Sequence, residues 1–334
     1  MSRRRLESTL TGIWFCPGPP ALILRPLAAL FGFLSSLRRV LYRHRILPVR
    51  HPGVPVVIVG NIAVGGSGKT PFTIWLARAL AARGIRCGIV TRGYGGHSRL
   101  WPQEVTPQSS AASVGDEALL LARETGCPVI AAPDRAAAAT RLREHNDVQL
   151  ILSDDGLQHY ALGRDFEIAL VDGARGLGNG CLLPAGPLRE PPRRLDEVDC
   201  VVVKRGDGYR RADAIDMTLE LGAAQRLGSG ETRALAAFTG APVHAAAGIA
   251  DPEQFFAALR ARGLEVIAHP FPDHAPLTAA DLQFDDDLAV LMTAKDAIKL
   301  PPLDTANLWV VPAGVRVADS DAEALLTRIA ALVS

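Results

Sequence analysis

The run Gly65-Gly66-Ser67-Gly68-Lys69-Thr70 carries the most specific chemistry in the sequence. Glycines let successive backbone amides wrap phosphate oxygens, the Lys69 ammonium can bridge terminal phosphates, and the Thr70 hydroxyl can ligate magnesium. Ala63 stands where the usual Gly-x-x-x-x-Gly-Lys-[Ser/Thr] pattern has its first glycine. The context supplies what the motif lacks. Val54 to Gly60 reads as a buried apolar strand, Asn61 to Gly68 as a loop, and Lys69 to Ala82 as a helix that tolerates Pro71 in its first turn. Strand, glycine loop and helix in that order mark a phosphate-binding loop rather than a flexible turn.

Acidic residues follow at two places where such a loop needs them. The apolar run Val148 to Leu152 leads into Ser153-Asp154-Asp155, placing two carboxylates where a Walker B acid holds magnesium. A solvated turn after a strand has the same composition. Gly115-Asp116-Glu117 opens a helix, where Asp116 reads equally as an amino-terminal cap or as a carboxylate near the phosphates. Thr91-Arg92-Gly93-Tyr94-Gly95-Gly96 offers one cation and one aromatic ring, able to clamp a phosphorylated sugar or to form a plain turn.

These groups need a scaffold that gathers strand ends. Strand and helix signals alternate through Cys87 to Val90, Asp116 to Glu124, Pro128 to Ala131, Arg135 to His145, Val148 to Leu152, Phe166 to Val171 and Cys200 to Lys204. Such alternation builds a parallel sheet covered by helices, with ligands at the carboxyl ends of the strands. The expected fold class is α/β, with a P-loop NTPase-like parallel sheet core over residues 49–205. Polar and glycine-containing stretches read as a linker over 206–230. A second, smaller α/β domain is expected over 231–334. Its strands are Ala234 to Thr239, Leu264 to Ala268, Leu288 to Thr293 and Leu308 to Val311, with helices from Pro252 to Arg260 and from Asp321 to Leu332.

With 334 residues, 48% of them hydrophobic and 21% charged, the chain has ample material for a folded core and excludes disorder. A net charge of +1 gives no reason to expect a nucleic-acid partner. The charge is unevenly placed, because the first fifty residues hold nine arginines against the single acid Glu7. The five cysteines lack any Cys-x-x-Cys pair, which argues against a zinc site or disulfide scaffold and fits a reducing, cytoplasmic setting.

Residues 1–48 form a basic, apolar amino-terminal region. Leu22, Ile23, Leu24, Leu27, Leu30, Phe31, Phe33 and Leu34 precede Arg38, Arg39, Arg43 and Arg45. A spanning helix needs about 20 apolar residues, and Arg25 and Pro26 interrupt this run. The arginines on both sides also argue against a cleavable signal. An amphipathic interfacial helix, with leucines and phenylalanines in lipid and arginines on anionic headgroups, suits the composition. A helix packed on the protein's own core has the same pattern.

Several segments in order resemble the tetraacyldisaccharide 4'-kinase family. They are Gly60-Asn61, Val64 to Pro71, Arg92-Gly93-Tyr94-Gly95, Gly115-Asp116-Glu117, Pro133-Asp134-Arg135, Asp154 to His159, Leu183 to Glu190, Phe271-Pro272-Asp273-His274 and Thr293 to Ala297. Ser67 and Ala294 depart from the family's usual residues. The resemblance implies transfer of the γ-phosphoryl group of ATP, with Mg2+, to the 4'-hydroxyl of a lipid-linked disaccharide 1-phosphate. The setting implied is the cytoplasmic face of a Gram-negative inner membrane, on its phospholipid surface, without an obligate protein partner. Asp116 then resembles the general base, oriented by His274, with Lys69 as the catalytic cation. Thr70, Glu117, Asp154 and Asp155 form the expected metal set. Arg92, Tyr94, Arg135, Gln158, His159, Arg189 and Glu190 would line the sugar site. A peripheral membrane P-loop ATPase switch is the rival reading. A GTPase is disfavoured because guanine readers use [Asn/Thr]-Lys-x-Asp, whereas Lys295 and Asp296 are adjacent.

Overall fold

The computed structural model describes residues 12, 14–15, 19–98, 100–273, 275, 277–300 and 307–333. His274 lies outside the described residues.

The chain enters through the 25-residue helix α1 (Pro19–Arg43). Strand β1 (Val56–Gly60) follows, every residue of it buried, and leads through the glycine loop into α2 (Lys69–Ala82). Next come β2 (Cys87–Thr91), β3 (Gln103–Val105), α3 (Ala111–Val114), α4 (Asp116–Thr125), β4 (Val129–Ala131) and α5 (Arg135–His145). Then follow β5 (Leu150–Asp154), β6 (Phe166–Asp172), β7 (Cys200–Lys204), β8 (Ile215–Leu221), β9 (Ala224–Arg226), β10 (Thr232–Arg233) and β11 (Val243–Ala247). The chain closes through α6 (Pro252–Arg260), β12 (Val266–Pro270), β13 (Val290–Thr293), α7 (Ala294–Ala297), β14 (Leu308–Val311), β15 (Ala313–Val317) and α8 (Asp319–Ala330).

Nine strands form one sheet in the order β15-β8-β7-β6-β1-β5-β2-β4-β3, parallel except for the edge strands β15 and β3. Its central strands are rich in Val, Ile and Leu because both faces are covered, as a parallel sheet requires. One face packs Phe72, Leu76 and Leu80 of α2 with Leu119 and Leu121 of α4 and Leu325 and Ile329 of α8. The opposite face packs Ala138, Ala139 and Leu142 of α5 with Leu157, Leu188 and Leu195. Six strands form the second sheet in the order β10-β9-β14-β13-β11-β12.

The boundary between the two sheets differs from the expected linker. Within residues 206–230, β8 extends the large sheet beside β7 and β9 enters the small one. The chain also returns at its end, because β15 pairs antiparallel with β8 and α8 packs on the large sheet. The two crossings touch where Gly222 N donates to Pro312 O at 2.9 Å. A polar, glycine-containing stretch reads as a linker locally, yet β8, with only Met217 fully buried, is held as a strand by pairing with β7 on one side and β15 on the other. The strand expected at Ala234 to Thr239 is a short 3-10 turn at Leu235–Phe238, and the strand lies at Val243–Ala247. Its alanine-rich sequence has little β-propensity, and burial between β12 and β13 decides its conformation.

Helix α1 continues through Pro26, so Arg25 and Pro26 interrupt its apolar composition without ending it. Ala28 is buried and Gly32 approaches the Leu182 side chain so closely that a Cβ there would stand 2.5 Å from its Cδ1. Small residues four apart thus let α1 lie against the core along a narrow stripe. Leu22, Ile23, Leu27, Leu30, Phe33, Leu34 and Leu37 remain exposed. No helix among the described residues is long and apolar enough to cross a membrane.

Candidate active site

The glycine loop is braced from beneath. Buried Asn61, the first residue after β1, donates from Nδ2 to Ser67 Oγ at 3.2 Å. Val64 N donates to Pro187 O at 2.8 Å and Arg189 N to Ile62 O at 2.7 Å, so residues 187–189 strap the loop's first half. Ala63 takes part in this strap through an antiparallel bridge to Leu188. Its extended pairing needs no glycine, which accounts for the missing first glycine of the motif. Gly65 and Gly68 do have positive φ, 122° and 82°, and a Cβ on Gly68 would meet Met217 Cε at 2.8 Å. Those positions need the residue without a side chain.

Beyond the loop, α2 starts at Lys69 and presents its first turn to the end of β5. The register pairs Val59 of β1 with Asp154 of β5, so the acid ends its strand beside the loop. Thr70 Oγ1 donates to Asp154 Oδ2 at 3.3 Å and Thr73 Oγ1 to Asp154 Oδ1 at 2.9 Å. Burial, with the negative charges of Glu117 and Asp155, pushes the Asp154 carboxyl up to about 7. Asp155 takes a left-handed φ of 49°, which turns it toward Lys69 Nζ at 3.5 Å and Arg189 Nη1 at 3.4 Å. Burial alone would raise its pKa, but Lys69, Arg189 and Arg135 hold it down at about 2.

Asp116 is buried at the first position of α4. Gly115 occupies the cap position with φ 91°, so Asp116 is not the capping residue, and its Oδ1 accepts from Glu117 N at 2.9 Å. A Cβ on Gly115 would stand 2.4 Å from Tyr94 O. This backbone-to-backbone contact brings the loop bearing the exposed Arg92 and Tyr94 against the start of α4.

The remaining expected sugar-site residues line the turn after β5. Buried Arg135 donates from Nη2 to Asp155 O at 3.3 Å and from Nη1 to Pro133 O at 3.2 Å, while its Nε has no hydrogen-bond partner among the described residues. Burial lowers its pKa to about 10. His159 Nε2 accepts from Arg135 N at 3.1 Å, and burial together with the Arg135 charge lowers its pKa to about 4, so His159 is neutral at pH 7. Arg189 Nη1 reaches Gln158 Oε1 at 3.3 Å. Glu190 differs from these neighbours by facing inward. One of its oxygens accepts from Gln158 Nε2 at 2.8 Å, and the other meets the Tyr160 hydroxyl and Arg194 Nε.

Four further residues were given no site role by the sequence. Asn61 is the loop brace, and Lys204, at the end of β7, is 2.5 Å from Asp172 Oδ2 and 3.5 Å from Gly66 O. Lys295 of α7 reaches Glu117. The signal available for Asp172 and Lys204 was their position at the carboxyl ends of buried strands, where ligands bind in such sheets.

The residues present suit a magnesium ion. Thr70 and Asp154 are adjacent oxygen donors, and the raised Asp154 carboxyl marks negative charge that a dication would offset. Among the described residues, no three His, Cys, Asp or Glu side chains converge as a metal cluster. Magnesium beside phosphates needs only one or two protein ligands, the rest being phosphate and water oxygens.

A parallel sheet with a braced glycine loop, a loop lysine and a strand-end acid defines a P-loop nucleotide-binding protein. The family profile described as Tetraacyldisaccharide-1-P 4'-kinase matches residues 20–332. The chain belongs to the tetraacyldisaccharide 4'-kinase family. A tetraacyldisaccharide 4'-kinase of Alkalilimnicola ehrlichii is 48% identical over 332 residues, covering 98% of each chain. One of Nitrosococcus oceani is 45% identical over 309 residues, covering 92% of this chain and 90% of the relative. The crystal structure of LpxK from Aquifex aeolicus, described as in complex with ATP, superposes with a TM-score of 0.81 at 29% identity, covering 95% of this chain and all of that one.

Proposed function

We propose that this chain transfers the γ-phosphoryl group of ATP to the 4'-hydroxyl of tetraacyldisaccharide 1-phosphate, as a step of lipid A synthesis. The observation that carries this reading is the convergence of Lys69, Thr70 and Asp154 at the adjoining ends of β1 and β5. Phosphoryl transfer is loose, so catalysis rests on positioning and charge neutralisation. The loop amides and Lys69 cradle the phosphates. Magnesium, held by Thr70 and Asp154 with Asp155 and Glu117 nearby, would offset charge on the β- and γ-oxygens. Asp116 accepts the hydroxyl proton, and His274 orients it.

Arg92, Tyr94, Arg135, Gln158, His159 and Arg189 face the sugar in this reading, supported by Arg135 Nε, which has no hydrogen-bond partner among the described residues. Glu190 acts from behind by fixing the Gln158 amide. The exposed apolar face of α1 lies in the phospholipid surface at the cytoplasmic side of the inner membrane, so an amphiphilic substrate need not leave the bilayer. The small α/β unit closes over the nucleotide and excludes water. A phosphate-transfer assay with purified protein, ATP and tetraacyldisaccharide 1-phosphate tests the proposal. Product phosphorylated at the 4' position is expected. ATP turnover indifferent to the lipid would favour a nucleotide switch instead.

A further inference from the structure

Lys295 is a cation that neither the glycine motif nor the sugar-site residues call for. Its ammonium lies 3.4 Å from Glu117 Oε1 and 3.2 Å from Asp273 Oδ1. Glu117 belongs to the large sheet's α4, directly after Asp116, whereas Asp273 lies on the small unit's loop, directly before His274. One ammonium therefore joins the two chain segments that bear Asp116 and His274. Although burial alone would lower the Lys295 pKa, Glu117, Asp273 and Asp116 raise it, so the group is charged at neutral pH.

The backbone that carries Lys295 is held rigidly. Asp296, fully buried, accepts from Gly248 N at 2.8 Å and Thr293 Oγ1 at 2.6 Å, and pairs with Lys299 at 2.8 Å. Gly248 has no room for a side chain, because a Cβ would stand 2.9 Å from Asp296 Oδ1 and 3.2 Å from Pro272 O. The same carboxylate thus fixes α7 next to the loop that ends in Asp273. α7 in turn packs on α4. Exposed ion pairs are weak because two flexible side chains must be ordered, but here one partner rides on a rigid turn and is mostly buried.

The geometry points to Lys295 as a positioning residue that latches the small unit onto the acidic centre and tempers that centre's charge until a divalent cation arrives. The inference rests on the kinase reading for its catalytic consequence, but the latch itself does not. Losing the ammonium leaves the Glu117 carboxylate uncompensated, so a divalent cation should bind more tightly while the loop loosens. A merely structural lysine would give no tighter binding.

The test compares Lys295→Met, Lys295→Arg and Asp273→Asn with the wild-type chain. Mn2+ alone is titrated into nucleotide-free protein by electron paramagnetic resonance, and hydrogen exchange is followed over Phe271 to Asp273 and the first turn of α4. Lys295→Met is expected to bind Mn2+ about tenfold more tightly, as removal of one nearby positive charge implies. It should also exchange faster in both segments. Lys295→Arg should restore both properties. Asp273→Asn, at a solvent-facing carboxylate, should speed loop exchange and leave Mn2+ affinity unchanged. In the kinase assay, Lys295→Met should lower kcat about 10²-fold while KM for ATP changes little, as loss of a positioning contact does. Unchanged Mn2+ affinity in Lys295→Met, or unchanged exchange in Asp273→Asn, overturns the latch. Mn2+ binding and exchange need no phosphoryl transfer, so a wild-type chain inactive on the lipid would overturn the kinase reading alone.

Discussion

The Thr70 hydroxyl donates to Asp154 Oδ2 at 3.3 Å, linking the residue after the loop lysine to an acid 84 positions later. The link exists because β1 and β5 are parallel neighbours with Val59 opposite Asp154.

Lys69→Ala removes the glycine-loop cation, which lies 3.5 Å from Asp155. Turnover should fall by about 10² or more, since an electrostatic contact that strengthens in the transition state is lost. Steady-state kinetics at saturating ATP checks this. Near-normal turnover would show that the glycine loop is not the phosphate site.

Asp116→Asn keeps the size and the oxygen that accepts from Glu117 N but removes the proposed base. We expect a loss of about 10² to 10⁴ in kcat with little change in ATP affinity. Because Gly115 holds the cap position, the melting temperature should stay near the wild-type value. A folded variant with turnover within a few-fold of wild type would remove Asp116 from the mechanism.

Asp154 should make metal-free stability depend on pH. Its carboxyl titrates near 7 in the folded chain against an ordinary value of 3.8, so the folded state retains a proton that the unfolded chain releases in between. Stability from this group therefore falls as pH rises from about 4 to 7, by at most about 1.4 kcal/mol per unit. His159 works in the opposite sense, because its folded value near 4 lies below the ordinary 6.5 and its contribution is lost as pH falls through that window. Denaturant titrations of wild type and Asp154→Asn isolate the first effect. The stability difference between them should shift in favour of the variant as pH rises, and a flat difference would contradict the raised carboxyl.

The open face of α1 should carry membrane binding. Ile23 is 78% and Phe33 63% exposed, so Ile23→Glu with Phe33→Glu costs little packing. Sedimentation with anionic vesicles should drop sharply while the melting temperature holds and ATP binding is retained. Full sedimentation of the double variant would mean that lipid contact lies elsewhere.

Glu190→Gln distinguishes support from substrate contact. With both oxygens turned toward Gln158, Tyr160 and Arg194, the substitution should destabilise the fold by about 1–3 kcal/mol, as unsettling buried charged hydrogen bonds does. KM for the disaccharide should change only a few-fold. A large KM effect in a fully stable protein would place Glu190 at the sugar.

Local patterns were legible wherever the physics is local. The helix Lys69–Ala82 and the strand Leu308–Val311 have the bounds that periodicity implies, because burial of one helical face or of a whole strand is written in neighbouring residues. The glycine loop was equally plain, since phosphate wrapping needs consecutive amides. The antiparallel return of β15 was not legible, nor was the strand Val243–Ala247, whose alanines are neutral without their neighbours.

The candidate site divides along the same line. Its residue types, Lys69, Thr70, Asp116 and the acidic pair at the end of β5, came from sequence, which left Asp154 and Asp155 equivalent. Only the tertiary structure separated them, through a backbone turn that buries one against Thr70 and Thr73 and aims the other at Lys69 and Arg189. Lys295 belongs wholly to that second category. It meets Glu117 across 178 residues of chain, and no local pattern encodes a charge whose partner is supplied by another unit of the fold.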